Sequence, residues 1–104
     1  MKRGEIWWAR LPEPAGRRPV ILVSREAAYS VRTSVTVVEV SSTTRGIASE
    51  VALGPRDGLP RRCVGNADNI VTIPKRLLET RIAELAGDKL AQLDGALRFS
   101  LGLV

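Results

Sequence analysis

The chain has 104 residues, one cysteine, no histidine and a formal net charge of +5. Its length suits one domain, residues 1–104, and no apolar run approaches the roughly 18 residues of a membrane-spanning helix, so we expect a cytoplasmic protein without membrane contact. The missing histidine excludes Ser–His triads, histidine acid–base catalysis and histidine-ligated metals, and the lone Cys63 excludes an intrachain disulfide and a cysteine zinc site.

The first two-thirds of the chain predicts short strands separated by turns. Alternating or continuous runs rich in β-branched residues favour strands, whereas clusters of proline and glycine interrupt a β-ladder. Strands are predicted at Glu5–Leu11, Pro19–Ser24, Val35–Val40, Ser49–Leu53, Arg62–Asn66 and Asn69–Ile73, with turns at Pro12–Gly16 and Gly54–Pro60. This spacing predicts a small barrel or sandwich.

The pattern changes after Pro74. We expect a short helical turn followed by a last strand, Arg81–Leu85, and then a C-terminal helix capped by Asp88. Gly102 stands where a helix C-cap is expected. The predicted apolar stripe of this helix consists of Leu90, Leu93, Leu97 and Leu101.

Basic residues are concentrated in the first part of the chain. Residues 1–62 hold 11 Lys and Arg against 6 Asp and Glu, residues 63–104 hold 5 of each, and 13 of the 16 basic residues are arginine. Because the guanidinium fork matches phosphate oxygens, a nucleic-acid partner is one interpretation of this bias. The other interpretation is that the basic residues serve general solubility.

Two stretches carry candidate chemistry. Arg17 and Arg18 open the second strand, and SSTTR (residues 41–45) follows the third. Arginine and hydroxyl donors suffice to cleave RNA, since the 2′-hydroxyl already lies beside the phosphorus and the protein positions it and stabilises charge. The alternatives are a salt-bridged Arg18 and a polar turn at residues 41–45.

The adjacent Trp7 and Trp8 belong to the first predicted strand, in which successive side chains point to opposite faces. At most one of them faces outward, where it can stack on a base, and at least one belongs to the core.

Five sequence blocks cover almost the whole chain: KRGEIWWARLPEP, GRRPVILVS, VTVVEVSSTTR, GLPRRCVGNADNIVTIPKRLL and RIAELAGDKLAQLDGALRFSLGL. Their order, spacing and register resemble the MazF/PemK family of toxin endoribonucleases, also called mRNA interferases. The second and third blocks resemble the family motifs g.RPvvVvs and vvvvPlTs.

The resemblance implies a mainly β (α+β) fold, an SH3-like β-barrel of about five to seven strands with a C-terminal α-helix, and a homodimer. It implies a type II toxin-antitoxin toxin that cleaves single-stranded RNA without metal or other cofactor, leaving 2′,3′-cyclic phosphate and 5′-hydroxyl ends, and a MazE-like antitoxin partner. The family's catalytic arginine falls on Arg18 and its threonine on Ser41. Ser42 is the alternative hydroxyl if the strand end is shifted by one residue.

Further RNA contacts are expected from mostly basic and polar side chains, with solvated surface charge as the alternative for each. They are Arg17, Thr43, Arg45, Arg56, Arg61, Arg62, Asp68, Asn69 and Lys75. The loop Pro12–Gly16 is shorter than the family's first loop, and Asn69 stands where glutamine is usual. A CcdB-like gyrase-binding toxin and a non-catalytic RNA-binding barrel remain as alternatives, although the C-terminus lacks the tryptophan of gyrase poisons.

Overall fold

The computed structural model describes residues 1–103 as one curled sheet with a C-terminal helix. The elements follow the chain as β1 (Glu5–Arg10), β2 (Arg17–Leu22), α1 (Ala28–Val31), β3 (Ser34–Ser41), β4 (Glu50–Leu53), β5 (Cys63–Pro74), β6 (Leu78–Glu84) and α2 (Gly87–Leu101), with 3₁₀ turns at Pro55–Asp57 and Lys75–Leu77. The expected mainly β class, with six strands and a C-terminal helix, is confirmed.

The six strands form a half-barrel in the order β4-β5-β3-β2-β1-β6, and all neighbours pair antiparallel. Successive residues alternate between two apolar clusters because side chains of a strand alternate in direction. On β2, Ile21 packs in one cluster, and its neighbours Val20 and Leu22 pack in the other. The first cluster also includes Leu93 of α2, which packs against β4 and β5.

Strands β4 and β6 form the two edges of the sheet, and the turn after β4 packs against β6. Gly58 has φ +89°, and a Cβ added there would lie 2.6 Å from the Cβ of Ala83 on β6. The next residue, Leu59, is buried in the first cluster. This contact brings the Gly54–Pro60 turn from the end of β4 to β6, so the turn covers the gap between the two edge strands.

The structure corrects two predictions in the second half of the sheet. The predicted strands Arg62–Asn66 and Asn69–Ile73 form one strand, β5, because it keeps pairing with β3 across a bulge at residues 67–69. The short helix predicted after Pro74 is a single 3₁₀ turn, and the last strand begins earlier than predicted, at Leu78. Pairing with β1 extends this strand.

Three further details differ from prediction. The short helix α1 was not predicted. Helix α2 has Ala86 as its N-cap, so Asp88 lies in the first turn rather than at the cap, and Leu101 is exposed rather than part of the buried stripe. The left-handed C-cap at Gly102 is confirmed.

Candidate active site

A cleft of about 400 Å³ opens where β2 begins and β3 ends. These two points meet because β2 and β3 are antiparallel, with Val20 opposite Glu39. Continuing that register by two residues places Arg18 across from Ser41 on the same face. Six of the predicted site residues line the cleft: Arg17, Arg18, Ser41, Ser42, Thr43 and Arg61.

Arg18 is held by two acceptors. Its Nε donates to the carbonyl oxygen of Ala15 in the β1–β2 loop at 3.1 Å, and its Nη1 lies 3.4 Å from Oε1 of Glu39. The side chain is 30 % exposed. A guanidinium has five N–H donors, so two acceptors leave three donors for a ligand such as a phosphate. The salt bridge considered as an alternative for Arg18 is therefore present and is compatible with a binding role.

Ser41 and Ser42 differ in their local bonding. The Ser41 Oγ accepts a hydrogen bond from the backbone N–H of Thr43 at 3.1 Å, and its side chain is partly buried. That bond orients the hydroxyl and leaves its own proton free to donate. Ser42 is exposed and has no such bond within residues 1–103. The geometry therefore favours Ser41 as the oriented hydroxyl.

Arg17 lies beside the cleft on an aromatic support. Its guanidinium carbon is 4.3 Å from the centroid of the Trp8 ring, and its Nε donates to Glu79 at 2.7 Å. Glu79 also accepts from Arg10 at 3.1 Å, and the hydrogen bond from Arg17 is the main cause of the lowered pKa of Glu79. Trp7 instead packs against the second cluster and donates from Nε1 to Glu5. One tryptophan therefore lines the cleft and the other supports the core, as predicted.

A family model described as "PemK-like, MazF-like toxin of type II toxin-antitoxin system" matches residues 2–101. The chain belongs to this family. It is 37 % identical over 100 residues to "Probable endoribonuclease MazF5" of Mycobacterium tuberculosis, covering 95 % of this chain and 91 % of that protein. It is 37 % identical over 103 residues to "Probable endoribonuclease MazF2" of the same species, covering 98 % and 99 %.

Solved structures of MazF-like toxins share the fold. The "Mycobacterium tuberculosis toxin MazF-mt6" matches with a TM-score of 0.89 at 32 % identity, covering 96 % of this chain and 98 % of that chain. An "Endoribonuclease in complex with its cognate antitoxin from Mycobacterial species" also matches with a TM-score of 0.89 at 32 % identity, covering 100 % and 97 %. The expected relationship to the MazF/PemK family is confirmed.

The remaining predicted contacts of this MazF-like chain lie outside the main cleft. Arg56 and Arg62 line an adjacent cleft that shares Cys63 with the first. Arg45 and Asn69 are exposed and line neither cleft. Within residues 1–103, Arg56, Arg61 and Arg62 make no salt bridge.

Two predicted RNA-binding residues have structural partners elsewhere. Lys75 follows β5 beside Thr33, and its Nζ donates to the carbonyl of Tyr29. This is the opposite end of β3 from Ser41, about 23 Å away for seven residue steps. Asp68 lies in the β5 bulge and accepts hydrogen bonds from Ser49 at 2.7 Å and Ser100 at 2.9 Å, which lower its pKa. The structure does not bring Lys75 or Asp68 into the cleft.

Glu39 is a site residue that the sequence reasoning missed. Its signal was available, since a residue two positions before Ser41 on a strand shares the face of Ser41. Cys63 lines the cleft as a neutral thiol, because burial, together with the charge of Asp57, raises its pKa. In residues 1–103 no group of three or more Cys, Asp or Glu side chains is placed to hold a metal, and no helix is long and apolar enough to cross a membrane.

Proposed function

We propose that this chain, as one domain of residues 1–104, is the toxin of a type II toxin-antitoxin system and cleaves single-stranded RNA endonucleolytically, with mRNA as the cellular substrate. The observation that carries this proposal is the placement of Arg18 and Ser41 in one cleft, at the two positions where the family motifs have their functional arginine and threonine. The family match and the relatives named endoribonucleases support it.

The residues of the cleft suit the transesterification that opens an RNA strand. The three free donors of Arg18 and the hydroxyl of Ser41 bind the phosphoryl oxygens of the scissile phosphate. Charge that develops on those oxygens is stabilised by donors already held in place by Ala15, Glu39 and Thr43. The 2′-oxygen then attacks the phosphorus, leaving a 2′,3′-cyclic phosphate and a 5′-hydroxyl end without a metal ion.

In this proposal, residues on the rim of the cleft select the bases of the RNA. Trp8 supplies a stacking surface, and Arg61, which makes no salt bridge within residues 1–103, lies on the rim. In the adjacent cleft, Arg56 and Arg62 extend the positive surface for flanking phosphates. Arg45 and Asn69 stay candidate contacts outside the two clefts.

The proposed setting is a cytoplasmic homodimer neutralised by a MazE-like antitoxin. The complex of a mycobacterial endoribonuclease with its cognate antitoxin among the structural matches supports such a partner. An acidic segment of the antitoxin would complement the arginines of the cleft.

The experiment is cleavage of a single-stranded RNA in EDTA by the purified chain and by Arg18→Ala, with Arg25→Ala as the matched control. Arg25 is an exposed arginine in the β2–α1 connection, outside the cleft. We expect products with cyclic-phosphate ends from the parent and from Arg25→Ala, and a loss of at least about 100-fold in kcat for Arg18→Ala. Absence of cleavage by the parent, together with gyrase binding or with RNA binding alone, would favour the CcdB-like or the non-catalytic alternative.

A further inference from the structure

Beside the cleft lies a carboxylate that the chemistry described above uses only to hold Arg18, which lines the cleft. Glu39 lies on β3 two residues before Ser41, so the two side chains share one face of the strand. Its Oε1 is 3.4 Å from Nη1 of Arg18, and its side chain is 20 % exposed. The carboxylate therefore lies beside the guanidinium that would bind the scissile phosphate, and its side chain is not fully buried.

Other groups at the cleft are poor proton acceptors. A guanidinium does not act as a proton acceptor in proteins, and serine and threonine hydroxyls are not bases at neutral pH. The Cys63 thiol is kept neutral by its raised pKa. Glu79 accepts hydrogen bonds from two arginines, and its lowered pKa makes it a weaker base. Within residues 1–103, Glu39 is the one carboxylate paired with Arg18.

We propose that Glu39 is the general base of the cleavage reaction. This inference rests on the proposed endoribonuclease function. Glu39 takes the proton of the 2′-hydroxyl as the O2′–P bond forms and the P–O5′ bond breaks. The 5′-oxygen leaves with a proton from solvent, and protonated Glu39 later returns its proton to solvent. The step is an internal transesterification, so no water is consumed and no oxidant or reductant is needed.

The surroundings of Glu39 are compatible with this role. From β2, Arg18 is the charged group that faces it, and from β5 the residue opposite is the uncharged, buried Asn66. One strand further, Glu50 lies opposite Asn66, and its carboxylate accepts the backbone N–H groups of Arg45 and Gly46. The three N–H donors of Arg18 that Ala15 and Glu39 leave free can bind the phosphate, so Glu39 stays beside the guanidinium during the reaction.

The test uses Glu39→Gln, with Glu84→Gln as the matched control. Glutamine keeps the shape and an oxygen that accepts from Arg18, but it cannot take a proton under these conditions. Glu84 lies on β6 in salt bridges with Lys2 and Arg81, away from the cleft. We measure kcat for a cleavable RNA from pH 4 to 9, and the Kd of the same RNA with 2′-O-methyl groups, which binds but cannot react.

For Glu39→Gln we expect kcat to fall by about 100-fold or more, with the Kd of the 2′-O-methyl RNA within about threefold of the parent. We also expect the parent's acidic limb, in which kcat rises with pH, to be lost in Glu39→Gln and kept in Glu84→Gln. A Glu39→Gln variant with the parent's kcat and acidic limb would overturn the role of Glu39 while leaving the nuclease function intact. A folded parent that cleaves no RNA would overturn both the nuclease function and the role of Glu39. If Glu39→Gln does not fold, Glu39→Ala replaces it, and an unchanged pH profile with unchanged kcat in that variant counts against the proposal.

Discussion

The guanidinium of Arg17 lies over the indole ring of Trp8, with its central carbon 4.3 Å from the ring centroid. Glu79 accepts from Arg17 on the outer side, so the arginine is held between an aromatic face and a carboxylate. The pair places a positive charge over an aromatic ring that lines the cleft. Arg17 can bind a phosphate, and a base that stacks on Trp8 takes the ring face from Arg17.

Replacing Trp8 by alanine should weaken RNA binding. A stacked base contributes about 1–3 kcal/mol, so we expect the Kd of a 2′-O-methyl RNA to rise by at least about fivefold, and Trp8→Phe should retain part of the affinity. The measurement is fluorescence anisotropy of labelled RNA. Trp7→Phe is the control, since Trp7 packs against the second cluster and should affect stability rather than Kd. Equal loss of affinity in Trp7→Phe and Trp8→Ala would argue against a stacking role.

The two serines at the end of β3 should have unequal effects. We expect Ser41→Ala to lower kcat by about 100-fold, because the hydroxyl oriented by the Thr43 N–H is a donor to the phosphoryl oxygens, and Ser42→Ala to change it by less than about threefold. Single-turnover cleavage at saturating protein separates this effect from binding. A larger loss of kcat in Ser42→Ala than in Ser41→Ala would mean that Ser42 carries the functional hydroxyl.

The salt dependence of RNA binding distinguishes arginines at the cleft from those elsewhere. Each phosphate contact to a single strand contributes about −0.7 to the slope of log K against log salt concentration. Arg61→Ala should therefore make the slope shallower by about 0.7, and Arg76→Ala, on the distant 3₁₀ turn, should leave it unchanged. Titrations at several salt concentrations provide the slopes, and identical slopes for the two variants would place Arg61 outside the RNA path.

Two glycine-to-alanine changes should alter stability in opposite directions. Gly58→Ala places a Cβ 2.6 Å from that of Ala83 at a positive φ, and we expect the free energy of unfolding to fall by more than about 1 kcal/mol. Gly95 lies in α2, and a Cβ added there would meet no atom within 4 Å apart from its chain neighbours and the helix's own backbone. Gly95→Ala should therefore raise the free energy of unfolding by about 0.5–1 kcal/mol. Urea denaturation measures both, and a stable Gly58→Ala would show that the turn does not need close contact with β6.

The stability of the fold should decrease in acid, partly through Glu5. Burial raises the pKa of this carboxyl, but hydrogen bonds from Trp7 and Arg81 outweigh burial and lower the pKa below its ordinary value. A lowered folded-state pKa stabilises the fold above the unfolded value of about 4.3, and this stabilisation is lost as the pH falls through the folded pKa.

The corresponding variant is Glu5→Gln, followed by urea denaturation between pH 3 and 7. We expect it to be less stable than the parent at pH 7, with a difference that shrinks toward pH 3. Parallel stability curves for parent and variant across this range would show that the ionisation of Glu5 does not contribute.

The sequence by itself determined the fold class and the main functional candidates. The β-branched runs at Val20–Val23 and Val35–Val40 predict strands because local side-chain sterics favour an extended backbone there, and five ordered blocks indicate the family. Arg18 and Ser41 were found because each occupies a defined position within its own short motif. Such local patterns can be read without knowledge of distant contacts.

Tertiary structure decided which of these residues meet. The antiparallel pairing of β2 with β3 brings the start of one strand to the end of the other, so Arg18 and Ser41 share a cleft and Glu39 lies beside Arg18. The pairing of β3 with β5 carries Lys75 to the far end of β3, although its charge resembled that of the cleft arginines. Charge and residue type are local properties, whereas distance to the reacting phosphate depends on strand register and sheet curvature. For that reason the ion pair between Glu39 and Arg18 became visible only in the folded chain.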